Sequence, residues 1–473
     1  MDLNLNWIPQ SVKTIHLIAV CGTGMGALAC MLKDLGYQVT GSDQRIYPPM
    51  SHFLAQKGIG VIDGFREENL SYGPDLVVVG NAVTQDNPEV RAMFQMGLHF
   101  CSMPQALNRL IAAGKKILLV SGTHGKTTTS SILAWLLHKA GFDPSFMIGG
   151  ILKNFHSNYR LGKGEFFIVE GDEYDTAFFD KGPKFRHYDP LVTILTSVEF
   201  DHADIFSDLD HVINIFDDFL SGLDTCSTMI ACDGDENIAR LLRGRKFQIE
   251  RYGLVDDADW RLGEITMNPP WTVFEVYKKA TLYGTFKTQL FGEHNLLNAL
   301  AVIAVADRLM VPGEAVYSGL ETFQGIKRRQ EIRGHKRQIT VMDDFAHHPT
   351  AVRETIQAVR STLAGGKLIA VFEPRTNSSM RKVFQEVYPH SFDQADLICI
   401  RRPPLLEKIP PEDRFSSEQL VDDLKKRGLD AYYFADTGSI IAFLVTVAAP
   451  GDMILVMSNG GFDNIHERLL ESL

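Results

Sequence analysis

Residues 116–129 read KILLVSGTHGKTTT. Residues 116–120 form an apolar run of strand length, Gly122 and Gly125 punctuate a turn, and Lys126-Thr127-Thr128 open an amphipathic helix expected to continue through Ala140. A buried strand, a glycine-rich turn and a helix in that order make a phosphate loop. Its backbone N–H groups cradle a polyphosphate, Lys126 would neutralise the β- and γ-oxygens, and the Thr127 hydroxyl would hold Mg²⁺. The expected nucleotide contacts are Gly122, Thr123, His124, Gly125, Lys126, Thr127 and Thr128. The general pattern G-x-x-x-x-G-K-[ST] asks for glycine where this chain has Val120, so the match is to a shortened G-T-x-G-K-T form. The bland alternative, a chance Gly-Lys-Thr in a loop, leaves the flanking strand and helix unexplained.

The same rhythm of apolar strand, turn and helix recurs on both sides and predicts βαβ units around parallel sheets. N-terminally, residues 14–20 (TIHLIAV) run into Gly22-Thr23-Gly24-Met25-Gly26-Ala27 and a helix. Strands follow at 37–40, ending in Gly41-Ser42-Asp43, and at 75–79, ending in Gly80-Asn81. Within the middle block, strands are expected near 166–170 and 192–196. Residues 259–290 alternate apolar and polar positions between turn signals and predict an antiparallel meander. A long apolar helix at about 296–310 closes that block. C-terminally, residues 338–342 lead into DDFAHHPT and a helix to about Leu363, with strands at 367–372, 397–400 and 453–457. The chain has 473 residues, and single cores stop growing near ~250–300, so three domains are expected. Their limits are placed at 1–108, 109–327 and 328–473.

Gly22 to Ala27 fits G-x-G-x-x-A between a strand and a helix, with Asp43 at the end of the next strand. That is the setting of a dinucleotide or diphosphate site, where a helix N-terminus meets a pyrophosphate. A tight strand-to-helix turn is the plain alternative. Two acidic segments, Glu170-Gly171-Asp172-Glu173-Tyr174-Asp175 and Glu199-Phe200-Asp201-His202, end strands beside the phosphate loop. Hard Mg²⁺ prefers carboxylate and phosphate oxygens, and a borderline second cation accepts imidazole. Thr127, Glu173 and His202 are the candidate metal ligands, and Lys126, Glu173 and His202 the candidate catalytic groups.

Lys and Arg number 47 and Asp and Glu 58, a net charge of −11. A general nucleic-acid surface, which must be basic, is therefore not expected. The six cysteines form no C-x-x-C pair and no disulfide framework, which fits a reducing, cytoplasmic setting. MDLNLNWIPQ is not a signal peptide, and no apolar run approaches the ~20 residues of a membrane span.

Taken in order, GTGMGALA, GSD, GTHGKTTT, EGDEYD, EFDH, GEHNLLNA, GIKRRQE and DDFAHHPT resemble the Mur ligases of peptidoglycan synthesis, over essentially the whole chain. The resemblance implies a three-domain α/β fold. A Rossmann-like N-terminal domain holds a UDP-sugar. A central P-loop ATPase-type domain with a small antiparallel meander binds ATP and Mg²⁺. A Rossmann-like C-terminal domain brings the amine substrate. The implied reaction activates the sugar's carboxylate as an acyl phosphate with release of ADP, and the amine then displaces phosphate through a tetrahedral intermediate. Closure of the domains around the ligands is expected with it.

By the same resemblance, Gly22, Thr23, Gly24, Met25, Gly26, Ser42, Asp43 and Asn81 fall to the UDP-sugar. Glu173 is the Mg²⁺-ligating acid and His202 the second-metal ligand. His294, Asn295, Asn298, Arg329, Asp344 and His347 fall to ATP; for Asn295 and Asn298 the plain alternative is helix capping, and for Arg329 a solvated linker charge. Several Mur ligases carry a lysine about fifteen residues after the metal-binding His, carbamylated to serve as a ligand. No lysine lies between His202 and Lys246 here, which points to the branch acting directly on UDP-N-acetylmuramate.

Within that branch one type adds L-alanine and another the tripeptide L-alanyl-γ-D-glutamyl-meso-diaminopimelate, recovered from old wall. GNAVTQDNPEV, DEYDTAFFDKGPKFRHY, FEPRTNSSMR and VMSNGGFDNIHERL look like the tripeptide type. Arg375, Asn377, Ser378, Arg381, Ser458 and Asn459 could supply the cationic and amide donors that a polycarboxylate peptide needs; solvated loops are the alternative. The expected partners are UDP-N-acetylmuramate, ATP and the tripeptide, with no nucleic acid and no membrane, acting on a monomer or weak dimer. The L-alanine ligase is the alternative within the family. A nicotinamide-linked oxidoreductase, resting on Gly22–Ala27 and Asp43 alone, and a non-catalytic nucleotide switch are the alternatives outside it.

Overall fold

The computed structural model describes residues 3–473, which fold as two compact units. The first holds the chain up to Val198 together with Val212–Trp260 and Ala301–Gly319. It contains a five-stranded sheet of β1 (Thr14–Ile18), β2 (Gln38–Asp43), β3 (Gly60–Asp63), β4 (Leu76–Val79) and β5 (Phe100–Ser102), in the order β3-β2-β1-β4-β5. All of its pairings are parallel. The chain builds outward from β1 on one side and then returns to β4 on the other. The crevice beside the carboxyl end of β1 is thus a topological switch point, where α/β sheets bind ligands, and the Gly22 turn lies there.

The rest of this unit is built on β6 (Lys116–Ser121), β7 (Ser145–Leu152), β8 (Ser157–Arg160), β9 (Phe166–Gly171), β12 (Pro190–Leu195), β13 (Thr228–Cys232) and β14 (Gln248–Gly253), in the order β14-β13-β12-β6-β9-β7-β8. A two-stranded hairpin, β10 (Asp175–Ala177) with β11 (Asp180–Pro183), leaves the end of β9. β6 lies between β9 and β12, parallel to both, so the carboxyl end of β6 is a second switch point, and the phosphate loop leaves from it. Ile117 to Val120 are buried, and the helix Lys126–Lys139 covers them with Ile132, Leu133, Leu136 and Leu137.

The second unit comprises Glu199–His211, Arg261–Leu300 and Leu320–Leu473. Its sheet runs β18-β19-β23-β20-β21-β22, formed by β18 (Glu331–Lys336), β19 (Ile339–Asp344), β20 (Leu368–Phe372), β21 (Leu397–Arg401), β22 (Ala431–Phe434) and β23 (Met453–Met457). Only the edge strand β18 is antiparallel. Side chains alternate between two cores: Leu368, Ala370 and Phe372 enter one, Ile369 and Val371 the other. That double burial is why β20 reads as an unbroken apolar run rather than an alternating one. β15 (Trp260–Asn268), β16 (Trp271–Lys278) and β17 (Thr281–Thr288) are the expected meander. The long apolar helix begins earlier than the sequence pattern suggests, at Glu293, and ends at Arg308.

Candidate active site

The phosphate loop bends at two glycines that no other residue could replace without strain. Gly122 has φ +131°, and a Cβ there would sit 2.3 Å from Thr196 Oγ1 and 2.8 Å from the Ser197 backbone. Gly125, at φ +80°, caps the helix that starts at Lys126. Ser197 holds the loop open by accepting from the Thr123 N–H at its carbonyl and from the His124 N–H at its hydroxyl, each at 2.9 Å. The first N–H groups of the following helix lack intrahelical acceptors and supply the anion-binding end.

Lys126 Nζ donates to the Gly122 carbonyl (2.6 Å) and to Glu173 Oε2 (3.0 Å), and lies 3.9 Å from Asp172 Oδ1. The Thr127 hydroxyl donates to Glu170 Oε2 (3.2 Å), whose other oxygen accepts from Gly149 N–H (2.7 Å). Burial opposes the Lys126 charge, but Glu173, Asp172 and Glu170 outweigh it and raise the ammonium's pKa above its usual range. Burial likewise opposes ionisation of Asp172, yet Lys184 and Lys126 push its pKa down to about 2. Glu170 is shifted up, by burial first and then by Asp172. Three carboxylates and a threonine hydroxyl around one lysine are hard oxygen donors, and Gly122 leaves a cradle that a Cβ would fill. This donor set fits Mg²⁺ bound with a polyphosphate.

At the N-terminal switch point, the Asp43 carboxylate accepts from Cys21 N–H (2.9 Å) and Arg45 N–H (3.0 Å), fixing the Gly22 turn to the end of β2. Gly26 packs where a Cβ would come within 2.6 Å of Met50 Cε. Thr23 and Asn81 are exposed and Gly24 half-buried beside them, whereas Met25 is buried. Ser42 is buried and donates to Glu89 Oε2 (2.6 Å), itself fully buried 3.3 Å from His16 Nε2. The Ser42 side chain therefore braces the domain from inside.

In the second unit, Asp201 gathers two of the expected histidines. His202 donates its backbone N–H to Asp201 Oδ1 (2.7 Å) from a left-handed conformation (φ +53°), and His347 Nε2 lies 3.8 Å from Asp201 Oδ2. Burial would raise the Asp201 pKa, but His347, His202 and His348 hold it well below the carboxylate range. His348 caps the helix Pro349–Thr362: its Nδ1 accepts from Thr350 N–H (3.3 Å), so Nε2 carries the hydrogen donated to the Phe200 carbonyl (3.1 Å). Asp344 is buried and accepts from Gln330 and Ala346 N–H (2.8 and 2.7 Å). Arg329 lies over the Phe345 ring at 4.7 Å. Asn295 donates to the Phe291 carbonyl and to Gln330 Oε1, and Asn298 is buried on the same helix. His294 lines a cavity of about 310 Å³ together with Met267, Leu297, Arg353 and Gln357.

Of the residues expected to meet the peptide, Ser458 donates to buried Glu373 (2.7 Å), and Arg375 Nη1 lies 3.5 Å from the same carboxylate. Asn377 donates to Asp204 (2.7 Å), and the Ser378 hydroxyl accepts from Ala203 N–H (3.0 Å). Arg381 lies 3.5 Å from Asp413. Asn459, partly buried, follows Ser458 in the turn after β23, with its side-chain oxygen lacking a hydrogen-bond partner. Glu373, Ser458 and Arg401 meet where β20, β23 and β21 end.

Three family models match in sequence: the Mur ligase family catalytic domain over residues 14–115, the Mur ligase middle domain over 120–306, and the glutamate ligase domain over 328–460. The chain is 38% identical to the UDP-N-acetylmuramate–L-alanyl-γ-D-glutamyl-meso-2,6-diaminoheptandioate ligase of Escherichia coli K12, over 97% of this chain and 98% of that one. The chain belongs to the Mur ligase family. Among solved structures, the murein peptide ligase of Psychrobacter arcticus is 34% identical, with a TM-score of 0.73 over 97% of this chain and 98% of that one. The UDP-N-acetylmuramate–alanine ligase of Thermotoga maritima is 25% identical, with a TM-score of 0.80 over 98% and 99%. The two measures rank these structures differently. TM-score weighs the whole backbone, which both kinds of Mur ligase share, while identity also registers the side chains that meet a substrate.

Within each unit, the candidate groups have partners that the motifs alone do not single out. Glu170 holds Thr127, Lys184 holds Asp172, His348 caps a helix beside His347, and Glu373 and Arg401 anchor the Ser458 turn. Glu170 and His348 sit inside recognised motifs and could have been found there. Lys184 and Glu373 lie within the quoted tripeptide-type segments but are not singled out there, and Arg401 lies in none of the motifs; their pairings become visible only in the fold.

Proposed function

We propose that this chain is an ATP-dependent ligase joining L-alanyl-γ-D-glutamyl-meso-diaminopimelate to UDP-N-acetylmuramate, in the reuse of wall peptides in the cytoplasm. The full-length 38% identity to the Escherichia coli ligase of that name carries this reading. The tripeptide-type segments around Glu173, Arg375 and Ser458 support it.

The muramate carboxylate attacks the γ-phosphorus of ATP, the bond to the β-bridging oxygen breaks, and ADP leaves with that electron pair. The α-amine of the peptide's L-alanine then adds to the acyl phosphate carbonyl, loses its proton, and expels inorganic phosphate. Lys126 supplies a fixed positive charge to the transferring phosphoryl group, and the helix N-terminus behind Gly125 supplies N–H donors to the polyphosphate. Thr127, Glu173 and Glu170 would hold Mg²⁺, which would spread the charge developing on the phosphate oxygens. His202 as ligand of a second cation, His294, Asn295, Asn298, Arg329, Asp344 and His347 as ATP contacts, and the Gly22 turn with Asp43 and Asn81 as the sugar-nucleotide cradle belong to the same proposal. So do domain limits of 1–108, 109–327 and 328–473, and a monomer or weak dimer.

ADP release is to be measured with UDP-N-acetylmuramate and either the tripeptide or L-alanine. Turnover should require the tripeptide. The L-alanine ligase, favoured by the TM-score of 0.80 to the Thermotoga maritima enzyme, predicts turnover with L-alanine alone, and that result would displace the proposal.

A further inference from the structure

A second buried lysine lies beside the phosphate loop, and the chemistry above does not use it. Lys184 is 9% exposed and follows directly on the hairpin β10–β11. Its backbone N–H donates to the Asp172 carbonyl (3.1 Å), and its Nζ donates to Asp172 Oδ2 (2.7 Å) and the Tyr174 hydroxyl (2.9 Å). The Tyr174 hydroxyl in turn donates to Asp172 Oδ2 (2.9 Å), and the ammonium stands 4.2 Å from the Tyr174 ring centroid. Both neighbours of Glu173 are thereby tied to one side chain.

The hairpin that delivers Lys184 is itself fixed at its tip. Phe179 packs edge-on against Phe100 of β5 (4.9 Å between centroids) and against Phe178 (5.1 Å). Asp180 takes a hydrogen bond from Ser102 (3.3 Å) and lies 2.7 Å from His187 Nε2, and Asn108 donates to the His187 carbonyl (2.6 Å). A buried ammonium is costly unless its partners are well placed, and here those partners flank a metal-binding carboxylate. Groups that orient a metal ligand from behind contribute ~10–100-fold to metal affinity.

We propose that Lys184 is a positioning residue for Glu173. It clamps residues 172 and 174 so that the carboxylate between them is presented to the cation, and through the hairpin it ties that turn to the N-terminal sheet. This rests on the reading of Glu173 as a metal ligand.

The test uses the full-length protein with Mn²⁺ as the probe, free Mn²⁺ being followed by electron paramagnetic resonance in the presence of a non-hydrolysable ATP analogue. Glu173→Gln serves as the reference and should weaken Mn²⁺ binding. Lys184→Met should raise the Mn²⁺ dissociation constant about 10-fold or more, within the ~10–100-fold range of such orienting groups. Lys184→Arg should restore most of that loss, and UDP-N-acetylmuramate affinity should not move. A folded Lys184→Met with wild-type Mn²⁺ affinity, alongside a weakened Glu173→Gln, overturns the role of Lys184. Unchanged affinity in Glu173→Gln instead overturns the metal reading beneath it. If Lys184→Met does not fold, Tyr174→Phe decides. Losing the two clamp hydrogen bonds made by the Tyr174 hydroxyl, one from Lys184 and one to Asp172, should weaken Mn²⁺ about 2–10-fold, and no change there overturns the proposal.

Discussion

In the proposed ATP site, Lys126 is held by the groups it would exchange for the nucleotide. Its ammonium sits between the Gly122 carbonyl and Glu173, with Asp172 behind, so arriving phosphate oxygens replace one set of anionic partners with another. The charge itself is permanent, because these carboxylates hold the pKa above its usual range against the pull of burial. Lys126→Ala is expected to lower kcat by about 10²–10³-fold, the usual cost of removing one preorganised charge from a transition state. ADP release under saturating substrates measures it, and near-normal turnover would remove Lys126 from the chemistry. Gly460 offers a separate test of the peptide site. A Cβ there would lie 2.2 Å from Arg375 Cδ, a flexible side chain rather than backbone, so Gly460→Ala should displace Arg375 with little loss of stability. The expected outcome is a KM for tripeptide raised about 10-fold, the price of one lost charge-assisted contact of ~1.5 kcal/mol, with the KM for ATP unchanged. An unaltered tripeptide KM would separate Arg375 from substrate binding.

At the scale of elements, Asp343 joins β19 to β18, to the segment before β18 and to the last helix. It ends β19 beside Asp344 and lies 3.3 Å from Arg328 Nε, 3.2 Å from Arg333 Nη1 on β18, and 3.4 Å from His466 on the last helix. Burial would raise its pKa, but His466, Arg328 and Arg333 pull it below the carboxylate range. A folded pKa below the unfolded one means that the stabilisation is complete above ~3.9 and is lost as pH falls through the folded value. Asp343→Asn should therefore cost about 2 kcal/mol near neutral pH, less than a fully buried pair because both guanidiniums still reach water. The gap to wild type should narrow below about pH 4, and urea unfolding at several pH values measures both. A gap independent of pH would mean that shape, not charge, is what Asp343 contributes. This network also shows where the sequence stops being legible. The strands 116–121, 368–372 and 453–457 and the glycine-rich turn before the helix at Lys126 could be read directly, because strand runs and motif spacings are local. β18 and the hairpin β10–β11 could not, because they are short and polar and carry no apolar run, although each pairs with the strand next to it in the chain; β13 and β14 are missed although β13 is a buried apolar run. Glu373 with Arg401 is hidden because the folded sheet brings the two together from the ends of β20 and β21, and Lys184 with Asp172 because the turn-back of the hairpin β10–β11 that joins them is not read.

For the whole molecule, a net charge of −11 coexists with sites for anions, because each such site is a local arrangement of backbone N–H groups and one or two cations rather than a basic face. On the proposed function, the three-domain fold distributes those sites: the Gly22 turn after β1 for the sugar nucleotide, the phosphate loop after β6 for ATP, and polar side chains beyond β20, β21 and β23 for the peptide. A reaction through an acyl phosphate requires these parts to meet and water to be kept out, since the mixed anhydride hydrolyses if exposed. Ligands that bind between domains supply the differential affinity that shifts a chain towards its closed state. Small-angle X-ray scattering of the full chain should therefore show a radius of gyration that falls when UDP-N-acetylmuramate, Mg²⁺ and a non-hydrolysable ATP analogue are added together, towards the ~23 Å of a compact chain of this length. Each ligand alone should produce only part of the change. A radius indifferent to all three would mean that the acyl phosphate is protected without closure, and would leave the Lys184 clamp as a local device rather than part of a larger movement.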